Sequence, residues 1–148
     1  MTKKIAAFVC GATLAFSAVC SATVAPEKIG IAGVNPGMSE SALVAAVGQP
    51  NSKSPKGDDW YYNGFTVEFD KDRPGVVEEI TTRNAGISTA AGISVGQNVS
   101  VLNALGQADK TDPDNDETEY TRYSNDYSKK LEVDVVNGVI VKISCKLR

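Results

Sequence analysis

The chain has 148 residues, with 15 basic and 18 acidic side chains, a formal net charge of −3 and no histidine. An acidic surface repels phosphate backbones and anionic lipid, which argues against nucleic-acid binding. The lack of histidine removes the commonest general base and the commonest metal ligand.

Residues 1–22 read as an export signal. Lys3 and Lys4 precede an apolar run from Ile5 to Val19, and small residues follow at Cys20, Ser21 and Ala22. Cleavage after Ala22 is expected, because a cut after Ala25 would leave Pro26 in first place. The apolar run is shorter than the roughly 20 residues a spanning helix needs. Cys20 raises an alternative, since acylation there would hold the chain at an outer-membrane surface as a lipoprotein. Val19, however, stands where such signals carry a small residue. Removing the signal takes Cys10 and Cys20 with it and leaves Cys145 as the one thiol, so no intrachain disulfide can form. It also takes the 15 basic residues to 13 against 18 acids, a net charge of −5.

The remainder reads as two copies of one pattern. Gly33-Val34-Asn35-Pro36-Gly37 is echoed by Gly92-Ile93-Ser94-Val95-Gly96. The offset falls from 59 residues at Gly33 and Gly92 to 58 at Gly48 and Gly106. In the first copy Ser39 is a helix cap, Glu40 suits the first turn, Leu43, Val44 and Val47 form an apolar stripe, and Gly48 ends it. In the second, Asn98 caps a segment buried through Val99, Val101, Leu102 and Leu105 and stopped at Gly106.

Each helix is followed by strands. A two-residue turn at Asn63-Gly64 pairs Trp60 with Val67 and Tyr62 with Phe65, placing these and Phe69 on one face and Thr66 and Glu68 on the other. Later, a three-residue loop from Val136 to Gly138 would pair Val135 with Val139 and Val133 with Val141, setting Val139, Val141, Ile143 and Cys145 on one face. Glu78 falls where the second copy has Val141, which implies a shift or bulge near Val77. The expected class is α+β: two tandem repeats, residues 23–84 and 85–148, each a short helix followed by an antiparallel meander. They would pack as one body with the helices on one face of the sheet.

Gly37-Met38-Ser39, Leu43, Val47, Gly48-Gln49-Pro50, the aromatic strand Trp60 to Tyr62, and Val67 to Phe69 ahead of Val76 to Ile80 resemble a known repeat. It is the unit of the SmpA/OmlA (BamE-like) outer-membrane-assembly lipoproteins and the β-lactamase inhibitor proteins (BLIP-like). That resemblance implies helices packed on an antiparallel sheet and an exported, non-catalytic interaction module. The chain departs from both groups, lacking the inhibitors' disulfides and the lipoproteins' acylation signal.

Among candidate site residues, Tyr61, Tyr120, Tyr123 and Tyr127 are expected at a protein-binding surface, because aromatics carry much of the energy of interfaces. Trp60, Tyr62 and Phe65 belong to the core. Asp112, Asp114 and Asp116 alternate like the opening of a calcium loop, but Glu117 and Tyr123 stand where that loop needs glycine and a bidentate glutamate, so the segment reads as a solvated loop. No catalytic constellation or cofactor motif is visible. The expected function is an envelope accessory or assembly-type factor that binds a protein partner. Alternatives are a secreted inhibitor of an enzyme such as a β-lactamase, and a small-ligand or metal-ion binding protein.

Overall fold

The computed structural model describes residues 24–148. Its body is one eight-stranded antiparallel sheet in the order β1-β2-β3-β4-β8-β7-β6-β5. The strands are β1 (Ser52–Lys53), β2 (Asp59–Tyr61), β3 (Phe65–Phe69), β4 (Val77–Thr82), β5 (Lys110–Asp114), β6 (Glu117–Tyr123), β7 (Lys129–Val136) and β8 (Val139–Leu147). Two successive four-stranded runs meet edge to edge where β4 pairs with β8, Ile80 opposite Cys145 and Thr81 opposite Ser144.

The expected α+β class is therefore corrected to a mainly β protein. The helical material is an eight-residue α-helix, α1 (Glu40–Val47), a seven-residue 3-10 helix (Val99–Leu105) and a single 3-10 turn (Pro26–Lys28). The strands form one continuous sheet instead of separate helix-plus-meander units. Ser39 caps α1 by accepting from the Ala42 N–H at 3.2 Å, and Asn98 accepts from the Ser100 N–H at 2.9 Å. β-branched Val99 and Val101, with Ser100 and Asn103, weaken α-helix preference in the second segment. A 3-10 helix rises about 2.0 Å per residue against 1.5 Å, so the segment that lost a residue still spans a similar length.

Each short helix is fixed to the sheet through backbone. The Glu40 and Val99 N–H groups donate to the carbonyls of Gly75 and Gly138, in the β3–β4 and β7–β8 turns, both at 2.8 Å. At their far ends the Tyr62 hydroxyl donates to the Gly48 carbonyl at 3.1 Å, and Arg122 Nη2 donates to the carbonyls of Leu102 and Gly106 at 3.2 and 3.0 Å. These bonds satisfy carbonyls that a helix end leaves without partners.

The core lies between the helices and one face of the sheet. Leu43 of α1 and Leu102 of the 3-10 helix meet Val67, Val77, Ile80, Leu131, Val133 and Ile143. The segment before α1 closes this core with Ile29, Ile31 and Val34, all fully buried, and with Val24, whose carbonyl accepts from the Asn125 N–H at 2.9 Å. The proposed cleavage site at Ala22 and the lipidation candidate Cys20 lie outside the described residues. Among the described residues, no helix is long and apolar enough to cross a membrane.

Both hairpins show how alternation and turn chemistry are reconciled. Trp60 pairs with Val67 as the turn chemistry requires. The second hairpin differs from expectation. Val136 pairs with Val139 across a two-residue Asn137-Gly138 turn, and register shifts beyond Asp134, so that Val135 faces Ile140 and Val133 faces Ile143. Positive φ at Asn137 and Gly138, 50° and 77°, is what a type I′ turn demands. The extra residue sits at Val141 as a bulge, which returns Ile143 and Cys145 to the core face and leaves Val139 40% exposed. Glu78 is the matching extra residue in the first half, where Glu68 faces Glu79 and Phe69 faces Val77.

Candidate interaction face

Alternation, interrupted at the Glu78 and Val141 bulges, sends one set of strand residues to the core and the other to an open face with no helix over it among the described residues. On the open face the register aligns residues into rows across the strands. One row runs Asp59, Glu68, Glu79, Lys146, Lys130, Tyr123. The next runs Tyr61, Thr66, Thr81, Ser144, Glu132, Thr121. A third, shorter row runs Lys142, Asp134, Glu119, Asp112.

The middle of this face is a network of paired charges. Lys146 Nζ lies 2.6 Å from Glu132 and 3.5 Å from Glu79; Lys130 reaches Glu132 at 2.5 Å and Lys142 reaches Asp134 at 3.2 Å. Glu132 is only 8% exposed and Asp134 only 5%. Burial works against the Glu132 carboxylate, but hydrogen bonds from Lys130 and Lys146 outweigh it and hold its pKa below the ordinary glutamate range. The same pairing keeps the Lys146 ammonium charged despite its burial, its pKa raised chiefly by Glu132. The Thr81 and Ser144 hydroxyls bond across the β4–β8 seam at 2.8 Å.

The flanks differ from the middle. On β2 and β3, Asp59 stands directly opposite Glu68, which in turn faces Glu79. Burial, then the charges of Asp59 and Glu79, push the Glu68 carboxyl above its usual range. On the other side, Asp112 faces Glu119 and Asp114 faces Glu117. With Asn115, Asp116 and Val136 these residues line a shallow recess of about 490 Å³.

The four tyrosines are split by the fold. Tyr61 lies on the open face and is 40% exposed. Tyr123 is at its far corner, where the Arg148 guanidinium stacks over its ring at 4.5 Å and over Tyr127 at 5.3 Å; the two rings are 6.1 Å apart. Tyr127, in the β6–β7 turn, is 60% exposed. Tyr120 points the other way and packs against the core. Trp60 is buried, edge-on to Phe69, while Tyr62 and Phe65 stack beside the core. Asp112 and Asp114 belong to strand β5 and Asp116 to the turn after it, with Asp112 held by Lys110 at 2.9 Å. A hairpin with its carboxylates splayed along an edge does not wrap an ion as a calcium loop does. Sequence reasoning missed Arg122, buried on the core face of β6; its neighbours Glu119 and Thr121 carry the alternation that assigns it inward.

Cys145 is fully buried between Ile80 and Leu131, and burial pushes its thiol well up. A thiol that is neither ionised nor accessible reacts slowly. A water-soluble disulfide reagent should leave it unmodified in buffer and label it stoichiometrically in denaturant; fast labelling of the folded protein would show that the C-terminal strand opens.

No protein-family model matches the chain, and no curated protein matches it. Solved structures do. A DUF4309 family protein from Bacillus subtilis is 17% identical, with a TM-score of 0.51 over 74% of this chain and 78% of its own. A cysteine-rich secretory protein from Staphylococcus aureus is 10% identical, with a TM-score of 0.54 over 86% of this chain and 49% of its own. An extracellular protein containing a SCP domain from Bacillus anthracis is also 10% identical, with a TM-score of 0.49 over 75% of this chain and 43% of its own. The chain thus spans about half the length of the last two proteins. At these identities the likeness is one of fold. The structural likeness to the Bacillus subtilis and Staphylococcus aureus proteins overturns the resemblance to the SmpA/OmlA lipoproteins and the β-lactamase inhibitor proteins, whose motifs are short and mostly structural.

Proposed function

We propose that the protein is an exported, non-catalytic binding module that uses the open face of its sheet to hold a protein partner. The observation that carries this reading is the face itself. It is eight strands wide, bare of helices among the described residues, studded with charge and hydroxyl groups, and bordered by the exposed Tyr61 and the half-buried Tyr123. A broad polar surface with aromatic margins suits protein recognition, where charged rims give specificity and tyrosines give contact area. Export is supported by the signal-like residues 1–22, and the secretory description of the Staphylococcus aureus protein is in keeping with it.

A photocrosslinking residue at Thr66, in the middle of a row on the open face, should capture a discrete partner in the native host. The same residue at Ala45, exposed on α1, should not. Equal capture from both positions, or none from Thr66, would remove the reading.

A further inference from the structure

We infer that the partner held by the open face presents a strip of lysine or arginine side chains wide enough to meet both acidic flanks at once; the inference rests on the reading of this face as a protein-binding surface. Within the strands the face carries nine carboxylates against four lysines. The lysines are already committed, Lys130 and Lys146 to Glu132, Lys142 to Asp134 and Lys110 to Asp112. Among the described residues, Asp59 on one flank and Asp114, Glu117 and Glu119 on the other make no salt bridge, and Glu68 has only Lys71 at 3.9 Å.

Like charges placed directly opposite one another across strands weaken a sheet. This sheet does so on both flanks, at Asp59 and Glu68 and again at Asp114 and Glu117. Folding gains nothing from that arrangement, whereas an incoming cationic surface relieves both flanks together. The spacing decides between kinds of cation. From β3 to β6 is four strand intervals, about 19 Å at 4.8 Å each. A single metal ion cannot bridge that width. An extended basic segment or a basic protein surface can, and it would lay its apolar parts against Tyr61 beside the first flank.

The test uses the mature chain and a lysine-rich peptide of about a dozen residues, which spans about 40 Å when extended. Calcium, spermine and a glutamate-rich peptide serve as comparators in titration calorimetry. The lysine-rich peptide should bind, and binding should weaken as salt is raised. The pair Asp59→Asn with Glu68→Gln should lower its affinity about tenfold, as should Asp114→Asn with Glu117→Gln. The exposed pair Glu27→Gln with Glu40→Gln, the same charge change on the helix side, should leave it unchanged.

The inference fails if the helix-side pair weakens binding as much as either flank, if calcium or spermine binds as tightly as the peptide, or if the peptide does not bind. The two readings separate through Thr66. Capture there of a partner whose contact surface is neutral or acidic overturns the basic strip and leaves the binding module standing, whereas no capture removes both.

Discussion

Replacing Ile80 with alanine is expected to lower the unfolding free energy by about 4 kcal/mol, a fall of roughly 15 °C in melting temperature for a chain of this size. Ile80 is fully buried on β4, opposite Val67 of β3 and Cys145 of β8, so it packs where the two four-stranded runs meet. Truncation removes three methyl-sized groups and leaves a cavity that a sheet held by backbone bonds on both sides cannot close. Urea unfolding should show a lower midpoint with an unchanged slope. Val139→Ala, at the exposed first residue of β8, should change stability by less than about 0.5 kcal/mol. A loss below about 1 kcal/mol for Ile80→Ala would mean that the seam is not packed as described.

Replacing Glu132 with alanine is expected to cost about 2 kcal/mol at neutral pH. Lys130 and Lys146 are directly opposite each other across β7 and β8, and Glu132 is the carboxylate they share. Without it two ammonium groups, each about a quarter exposed, face one another with only Glu79 at 3.5 Å from one of them. Their partial exposure keeps the cost below the several kcal/mol of a fully buried broken pair. The pH dependence follows from the lowered pKa of Glu132. A carboxylate favoured in the folded state contributes fully above its unfolded pKa of about 4.3, and that contribution is lost as pH falls through the folded value. The stability gap between wild type and variant should therefore be widest at neutral pH and narrow in acid, as read from unfolding curves across that range. A gap that stays constant or widens in acid would show that the lysines do not depend on this carboxylate.

The parts of the fold legible in the sequence are those set by local chemistry. Asn63-Gly64 and the alternation around it agree, so the Trp60 to Val67 register follows from either. At Asn137-Gly138 turn chemistry and alternation disagree, and the extra residue sits further along the strand, at Val141, not in the loop. Glu78 reads as an anomaly for the same reason: a bulge residue escapes the alternation that assigns its neighbours to a face.

Long-range pairing was not legible. Thr81 and Ser144 meet although far apart in sequence, and neither strand carries a mark that it will be central. Without that pairing the chain reads as two helix-capped units, and the second helix reads as α-helical because burial at Leu102 and Leu105 fits either helical period. The open face is hidden for the same reason. Its carboxylates are visible one strand at a time, but their alignment into two acidic flanks exists only once eight strands are in register. Tyr120 shows the converse, because one step of parity separates it from the exposed set and turns it to the core.

The open face is continuous because β4 and β8 are neighbours in one sheet. Cross-strand nuclear Overhauser contacts in the isotopically labelled protein test this directly. Side chains directly opposite each other on adjacent strands have Cβ atoms about 5 Å apart, so contacts are expected between Ile80 and Cys145 and between Thr81 and Ser144. If those contacts are missing while the contacts within β2–β4 and within β5–β8 are present, the two runs form separate sheets and the continuous face does not exist.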